Sequence, residues 1–195
     1  MLEAVSAFLL NRSSDLGIAT RDSLRDWLRA PGSLSRRLAK LGARFEVQLL
    51  RQGVAPFRAL ERLALGLPLR GLTVVREVIL RVDGEPLVWA RSAVHQRATT
   101  GPWRALKGLG SRPLAHLLYD DYRIHRSELQ PRRLARQGHT RRHAARQWQA
   151  AVGAPLPAQM QWSRNSVFSR GGAQLRVMEL FAPALAGQRP GRPRR

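Results

Sequence analysis

The chain contains no cysteine. That excludes a disulfide framework, a thiolate metal site and a cysteine nucleophile, and it fits a reducing compartment. Lysine is nearly absent: it stands only at Lys40 and Lys107, so almost all of the 34 basic residues are arginine. Acidic residues are scarce, 13 against those 34, and the formal charge is +21. No apolar run approaches the roughly 20 residues that span a bilayer as a helix. The N-terminal stretch MLEAVSAFLLNRSSDLG has a short apolar segment from Ala4 to Leu10, but Glu3 precedes it and no basic n-region is present. A secretory signal peptide is not expected, and the chain is read as cytoplasmic. A glycine-rich phosphate loop and βαβ alternation are also missing, which argues against a nucleotide-binding fold.

What remains is a chain of 195 residues, enough for one domain with a sizeable core. Its charge is concentrated in RRLARQGHTRRHAAR (132–146) and in the terminal RPGRPRR. Such patches meet nucleic acid, meet an anionic membrane surface, or are simply solvated. Their separation from the patterned core argues against a nucleic-acid binder.

Helical spacing comes early. TRDSLRDWL (20–28) reads as a helix with Thr20 as N-cap and Leu24, Trp27 and Leu28 on one face. After APG, Ser33 caps a short helix that Gly42 ends. ARFEVQLLRQG alternates as a strand, and FRALERLAL forms a helical turn or two before Pro68. Residues 72 to 94 make the clearest element, two strands around Asp83-Gly84 with a type I′ hairpin turn. A helix starts at Pro113. Residues 131–160 form an Arg-rich insert, helical in part and outside the core. Two more strands flank Gly171-Gly172, and the basic tail 184–195 is expected to be disordered. Helices first and strands as hairpins give an α+β domain, 1–183, with a mostly antiparallel sheet.

The hairpin carries a chemical oddity. Arg76 shares its strand face with Val74, Val78 and Leu80. A two-residue turn pairs Val82 with Glu85, Leu80 with Leu87, Val78 with Trp89 and Arg76 with Arg91, so both arginines are expected on one apolar face. Like charges placed so are destabilising unless compensated. In LRVMELF, Glu179 likewise lies among Leu175, Val177 and Phe181. Two readings follow. One is an internal Arg76–Glu179 salt bridge with Arg91 at the sheet rim. The other is an interior pocket in which the arginines grip an anionic ligand. The excess of arginine over carboxylate on that face favours an anion from outside.

DWLRAPGSLSRRL (26–38), REVILRVDGEPLVWARS (76–92), TGPWRALKGLGSRPLAHLLY (100–119) and RVMELFAP (176–183) resemble, in this order, the bacterial chorismate lyases. The resemblance runs from about residue 20 to 183, leaving out the Arg-rich insert. It implies a six-stranded antiparallel sheet with helices covering one face and an enclosed ligand pocket. It implies conversion of chorismate to 4-hydroxybenzoate and pyruvate, the first committed step toward ubiquinone, without metal or organic cofactor. It implies that Arg76 holds the aromatic carboxylate, helped by the backbone amides of Leu34 and Leu114. Glu179 would lie near the product hydroxyl, with a positioning or acid–base role, and Arg91 would also face the ligand. The chain departs from the family pattern at Leu34 (often methionine), at Ala90 (glycine), at Asn165 (arginine) and in the length of the insert.

Other features carry less. His139 and His143, four apart, are a candidate metal pair, but they sit among arginines with no carboxylate nearby in sequence, so no metal site is expected. A non-catalytic small-anion sensor domain of the same fold is the rival reading, although no clear helix-turn-helix segment is present. The chain is read as a monomer whose partner is chorismate and not nucleic acid. The basic insert reads first as a solvated surface helix; the second reading is transient contact with an anionic membrane surface, because the resemblance implies a product that next meets a membrane prenyltransferase.

Overall fold

The computed structural model describes residues 24–56, 58–65 and 71–191. The Thr20 cap, the N-terminal stretch and Pro68 lie outside these residues. Helix α1 (Arg25–Arg29) buries Trp27 and Leu28. Helix α2 (Leu34–Leu38) is capped as expected: Ser33 Oγ accepts from the Arg36 amide at 3.2 Å. Strand β1 (Phe45–Pro56) leads to helix α3 (Ala59–Ala64), and then come strands β2 (Leu72–Val82) and β3 (Glu85–His95). Helix α4 (Ala115–Tyr119) follows two 3₁₀ turns. Short strands β4 (His125–Arg126) and β5 (Gln130–Arg133) precede helix α5 (His139–Val152), and strands β6 (Trp162–Arg170) and β7 (Ala173–Phe181) close the sheet.

The sheet is antiparallel in the order β1-β2-β3-β7-β6, and both β4 and β5 pair with the outer edge of β6. There are thus seven strands in six positions, and the expected α+β architecture holds. The β2–β3 turn has positive φ at both Asp83 (48°) and Gly84 (82°), as a type I′ turn requires.

The register of that hairpin differs from the expected one. Val82 pairs with Glu85 and Arg81 with Pro86, but Leu80 pairs with Val88, so Leu87 is an extra residue in β3. This bulge moves every later pair by one, and a one-residue slip exchanges faces. Arg76 stands opposite Ser92, and Arg91 stands opposite Glu77.

On one face Val78, Leu80, Val88 and Phe181 pack under Trp27, Leu28, Leu34 and Leu38. Beside them Val74, Val94, Phe168 and Leu175 pack against Trp103, Leu106 and Leu118. The expected helical cover is therefore present on this side. The opposite face carries Ile79, Trp89, Met178 and Leu180, and here the insert contributes Ala144, Trp148 and Met160 to the core. The insert is not outside the core. The apolar stripe of α5 is narrow and diluted by arginine, which hid it in the sequence. Within the tail, residues 184–191 also differ from expectation, and the rest lies outside the described residues. Leu185 is fully buried, Trp27 Nε1 donates to Gln188 O at 2.7 Å, and Arg37 donates to Gly191 O at 2.8 Å.

Candidate active site

Three segments far apart in sequence meet on the first face of the sheet. Leu34 opens α2, Leu114 precedes α4, and Glu179 comes from β7; all three line one narrow cavity of about 40 Å³. First-turn amides have no acceptor within their own helix, so the amides of Leu34 and Leu114 depend on acceptors elsewhere.

Glu179 stands directly opposite Arg164 on β6, and Arg164 Nε donates to Glu179 Oε2. Arg164 is 1% exposed, and its Nη1 also donates to the carbonyls of Trp27 (3.1 Å) and Ala30 (2.9 Å). The carboxylate therefore has a fixed orientation, tied to the C-terminal end of α1. Among the described residues no salt bridge joins Glu179 to Arg76, so the internal-pair reading does not hold.

Tyr119 and Arg126 line the same cavity. Tyr119 Oη donates to Gly32 O at 2.8 Å and Arg126 Nη1 to the same carbonyl at 3.1 Å. Burial pushes the Tyr119 phenol up and lowers the Arg126 guanidinium below its ordinary value. Arg126 Nε is buried without a hydrogen-bond partner. It is a strong donor aimed at no acceptor, beside a carboxylate already taken by another arginine.

Arg76 projects from the same sheet face and is 3% exposed. Its strand partner Ser92 stands opposite Val177, which lines the cavity. Arg76 Nε and Nη2 donate to Gly110 O at 3.0 and 2.8 Å, and Nη2 also to Arg112 O at 2.8 Å. These carbonyls belong to the loop that delivers Leu114. No carboxylate pairs with Arg76 among the described residues, and burial lowers its pKa to about 10.

Arg91 does not belong to this constellation. The bulge at Leu87 turns it to the opposite face, where it bonds Glu61 and Glu77, all three buried. His143 Nε2 lies 2.8 Å from Glu77 Oε1. Burial pushes the Glu77 carboxyl up, but the hydrogen bond from His143 and the Arg91 guanidinium outweigh it and hold the pKa at about 2.

Arg164, Arg126 and Tyr119 were missed in the sequence. Arg164 was within reach, because a two-residue turn at Gly171-Gly172 pairs 170 with 173 and hence 164 with 179. Arg126 and Tyr119 lie outside any patterned strand, and nothing in the sequence signals them.

The fold is an α+β domain with a narrow cavity lined by Arg126 and Glu179, and with Arg76 and Arg164 buried on the same sheet face beside it. The model of the family described as chorismate lyase matches residues 4–189. Two curated relatives carry the name "Probable chorismate pyruvate-lyase". The one from Albidiferax ferrireducens is 45% identical over 83% of this chain and 82% of its own length. The one from an Azoarcus species is 42% identical over 84% and 86%. The chain belongs to the chorismate lyase family. Among solved structures, PhnF from Mycobacterium smegmatis shares the fold with a TM-score of 0.52 at 15% identity, over 78% of this chain and 64% of that one. The C-terminal domain of the histidine utilization repressor from Pseudomonas syringae pv. tomato does so at 0.50 and 10%, over 78% and 100%.

Proposed function

We propose that this chain is a chorismate pyruvate-lyase, converting chorismate to 4-hydroxybenzoate and pyruvate. One observation carries the reading. Among the described residues Arg76 is a buried guanidinium with no carboxylate partner, on the sheet face beside the cavity that Leu34, Leu114 and Glu179 line. Its three hydrogen bonds go to neutral carbonyls, which leaves its charge to be balanced by an anion from outside.

In the reaction the proton on the hydroxyl-bearing ring carbon leaves, the ether bond between ring and enolpyruvyl group breaks, and the methylene carbon gains a proton. The ring becomes aromatic, so orientation is the main requirement. Arg76 and the amides of Leu34 and Leu114 hold the ring carboxylate. Arg126, with its unused Nε, meets the second carboxylate of the dianion. Glu179, fixed through Oε2 by Arg164, presents Oε1 to the ring hydroxyl. The cavity of about 40 Å³ is smaller than such a substrate. Entry therefore requires α2 and α4 to part, breaking the Tyr119–Gly32 bond and the 2.7 Å Arg36–Asp120 ion pair between these segments.

No helix among the described residues is long and apolar enough to cross a membrane. The reading includes action in the cytoplasm as a monomer. Equimolar release of 4-hydroxybenzoate and pyruvate from chorismate tests the activity, and sedimentation tests the monomer. Tight binding of 4-hydroxybenzoate without turnover would leave a non-catalytic sensor of the same fold.

A further inference from the structure

The reverse side of the sheet carries a second, larger cleft of about 760 Å³ between α3, β5 and α5. It lies back to back with the cavity described above, because β7 sends Val177 and Glu179 one way and Arg176 and Met178 the other.

Its electrostatics do not close. Glu61 lines the cleft and Glu77 lies beneath it, and both carboxylates are taken up by Arg91. Arg176 on the floor is 8% exposed, and among the described residues its partner is the neutral Asn165 side chain. Burial first, and then the neighbours Arg91, Arg132 and Arg58, lower this guanidinium against the pull of Glu61. Arg58 Nη1 is buried without any hydrogen-bond partner, and the nearest carboxylate to this side chain is Glu77 at 3.9 Å. Arg132 and Arg146 stand exposed at the rim, without an acidic partner among the described residues. The first turn of α5 also borders the cleft. It holds no acidic residue, and its Gly138 N-cap offers no side-chain acceptor. The buried Arg176, paired only with a neutral amide, and the unused Nη1 donor of the half-buried Arg58 converge with the positive end of a helix of 14 residues to form a concave site for negative charge.

We propose that this cleft is a second binding site, separate from the lyase cavity, for a small anion bearing two or more negative oxyanion charges. Phosphate esters and polycarboxylates share that chemistry. Arg176 and Arg58 grip the anion at the floor, and Arg132, Arg146 and the α5 amides close around it. The proposal does not depend on the lyase activity.

Calorimetric titration of the full chain with pyrophosphate and with citrate tests it, the two probes separating phosphate from carboxylate sources. Saturable one-to-one binding of at least one probe is expected. Binding weakens at least about ten-fold in Arg132→Glu/Arg146→Glu and in Arg176→Met, whereas Arg76→Met and the charge-matched Arg25→Glu/Arg29→Glu on α1 leave it unchanged. If Arg176→Met does not fold, the rim double variant carries the test. Several outcomes would overturn the proposal: no saturable binding of either probe, equal weakening by both charge reversals, or loss of binding in Arg76→Met. Binding of phosphatidylglycerol vesicles through Arg132 and Arg146 with no binding of either probe would also overturn it, in favour of a membrane contact.

Discussion

Arg164 and Glu179 face each other across β6 and β7, and the arginine donates to one carboxylate oxygen while holding the carbonyls of Trp27 and Ala30. The carboxylate at the candidate site is thus fixed by a buried guanidinium that is itself held by two backbone carbonyls. Glu179→Gln keeps the shape and removes the charge. If Glu179 moves a proton in the reaction, kcat falls by about 10²-fold or more while chorismate still binds. If it only positions the ring hydroxyl, the loss stays within about ten-fold. Arg164→Met is expected to lower both kcat and stability, because it frees the Glu179 carboxylate without removing it. Steady-state kinetics and thermal melts on both variants decide.

The Arg91 cluster is structural. Arg91→Met leaves Glu61 and Glu77 buried without their cation, and breaking such a pair costs about 3–5 kcal/mol. Urea denaturation is expected to show that loss, with KM for chorismate in the surviving folded protein unchanged. A large rise in KM at full stability would return Arg91 to the substrate site.

Glu77 sets an acid limit. Its pKa is about 2 in the fold, below the ordinary 4.5. In the window between these values the unfolded chain binds more protons than the native one, so stability falls as pH falls. The contribution is fully present above about pH 5 and is lost as pH drops toward 2. In Glu77→Gln this part of the pH dependence is absent, although the variant is less stable at every pH. Stability curves from pH 7 to 2 for both proteins check the sign.

The insert is part of the core. Trp148 is 2% exposed and packs with Trp89 and Ile79. Trp148→Ala is expected to cost roughly 3–5 kcal/mol in a denaturant titration. A change below about 1 kcal/mol would mean that α5 is a solvated appendage after all.

Much of the fold was legible in the sequence because local chemistry decided it. Asp83-Gly84 fixed a hairpin turn, Ser33 fixed the start of α2, and alternation marked β1, β2 and β3, whereas the short strands β4 and β5 carried no such pattern. The misplacement of Arg91 has one cause. The bulge at Leu87 has one local signal that was not weighed, Pro86, which lacks the N–H of a regular ladder, and the bulge changes the face of every residue beyond it. The insert was misjudged for a different reason. Helix α5 buries only a narrow stripe, and the arginines around it mask the periodicity. At the site, Glu179 stood out by pattern, whereas Arg164 was missed although hairpin arithmetic pairs 164 with 179. Leu34 and Leu114 entered only through the family resemblance, because a backbone donor leaves no mark in side-chain chemistry.

The central claim is that Arg76 is buried on an apolar face to hold a substrate carboxylate. The most direct test mixes purified protein with chorismate and follows 4-hydroxybenzoate absorbance and pyruvate release, with Arg76→Ala and Arg76→Lys in parallel. The account predicts equimolar products from the wild type. Arg76→Ala should lose at least about 10²-fold in kcat/KM, with Arg76→Lys recovering little because a lysine cannot make the bidentate contact. Wild-type turnover that survives Arg76→Ala in a folded protein would contradict it, and Arg76 would then be only a clamp on the Gly110–Arg112 loop.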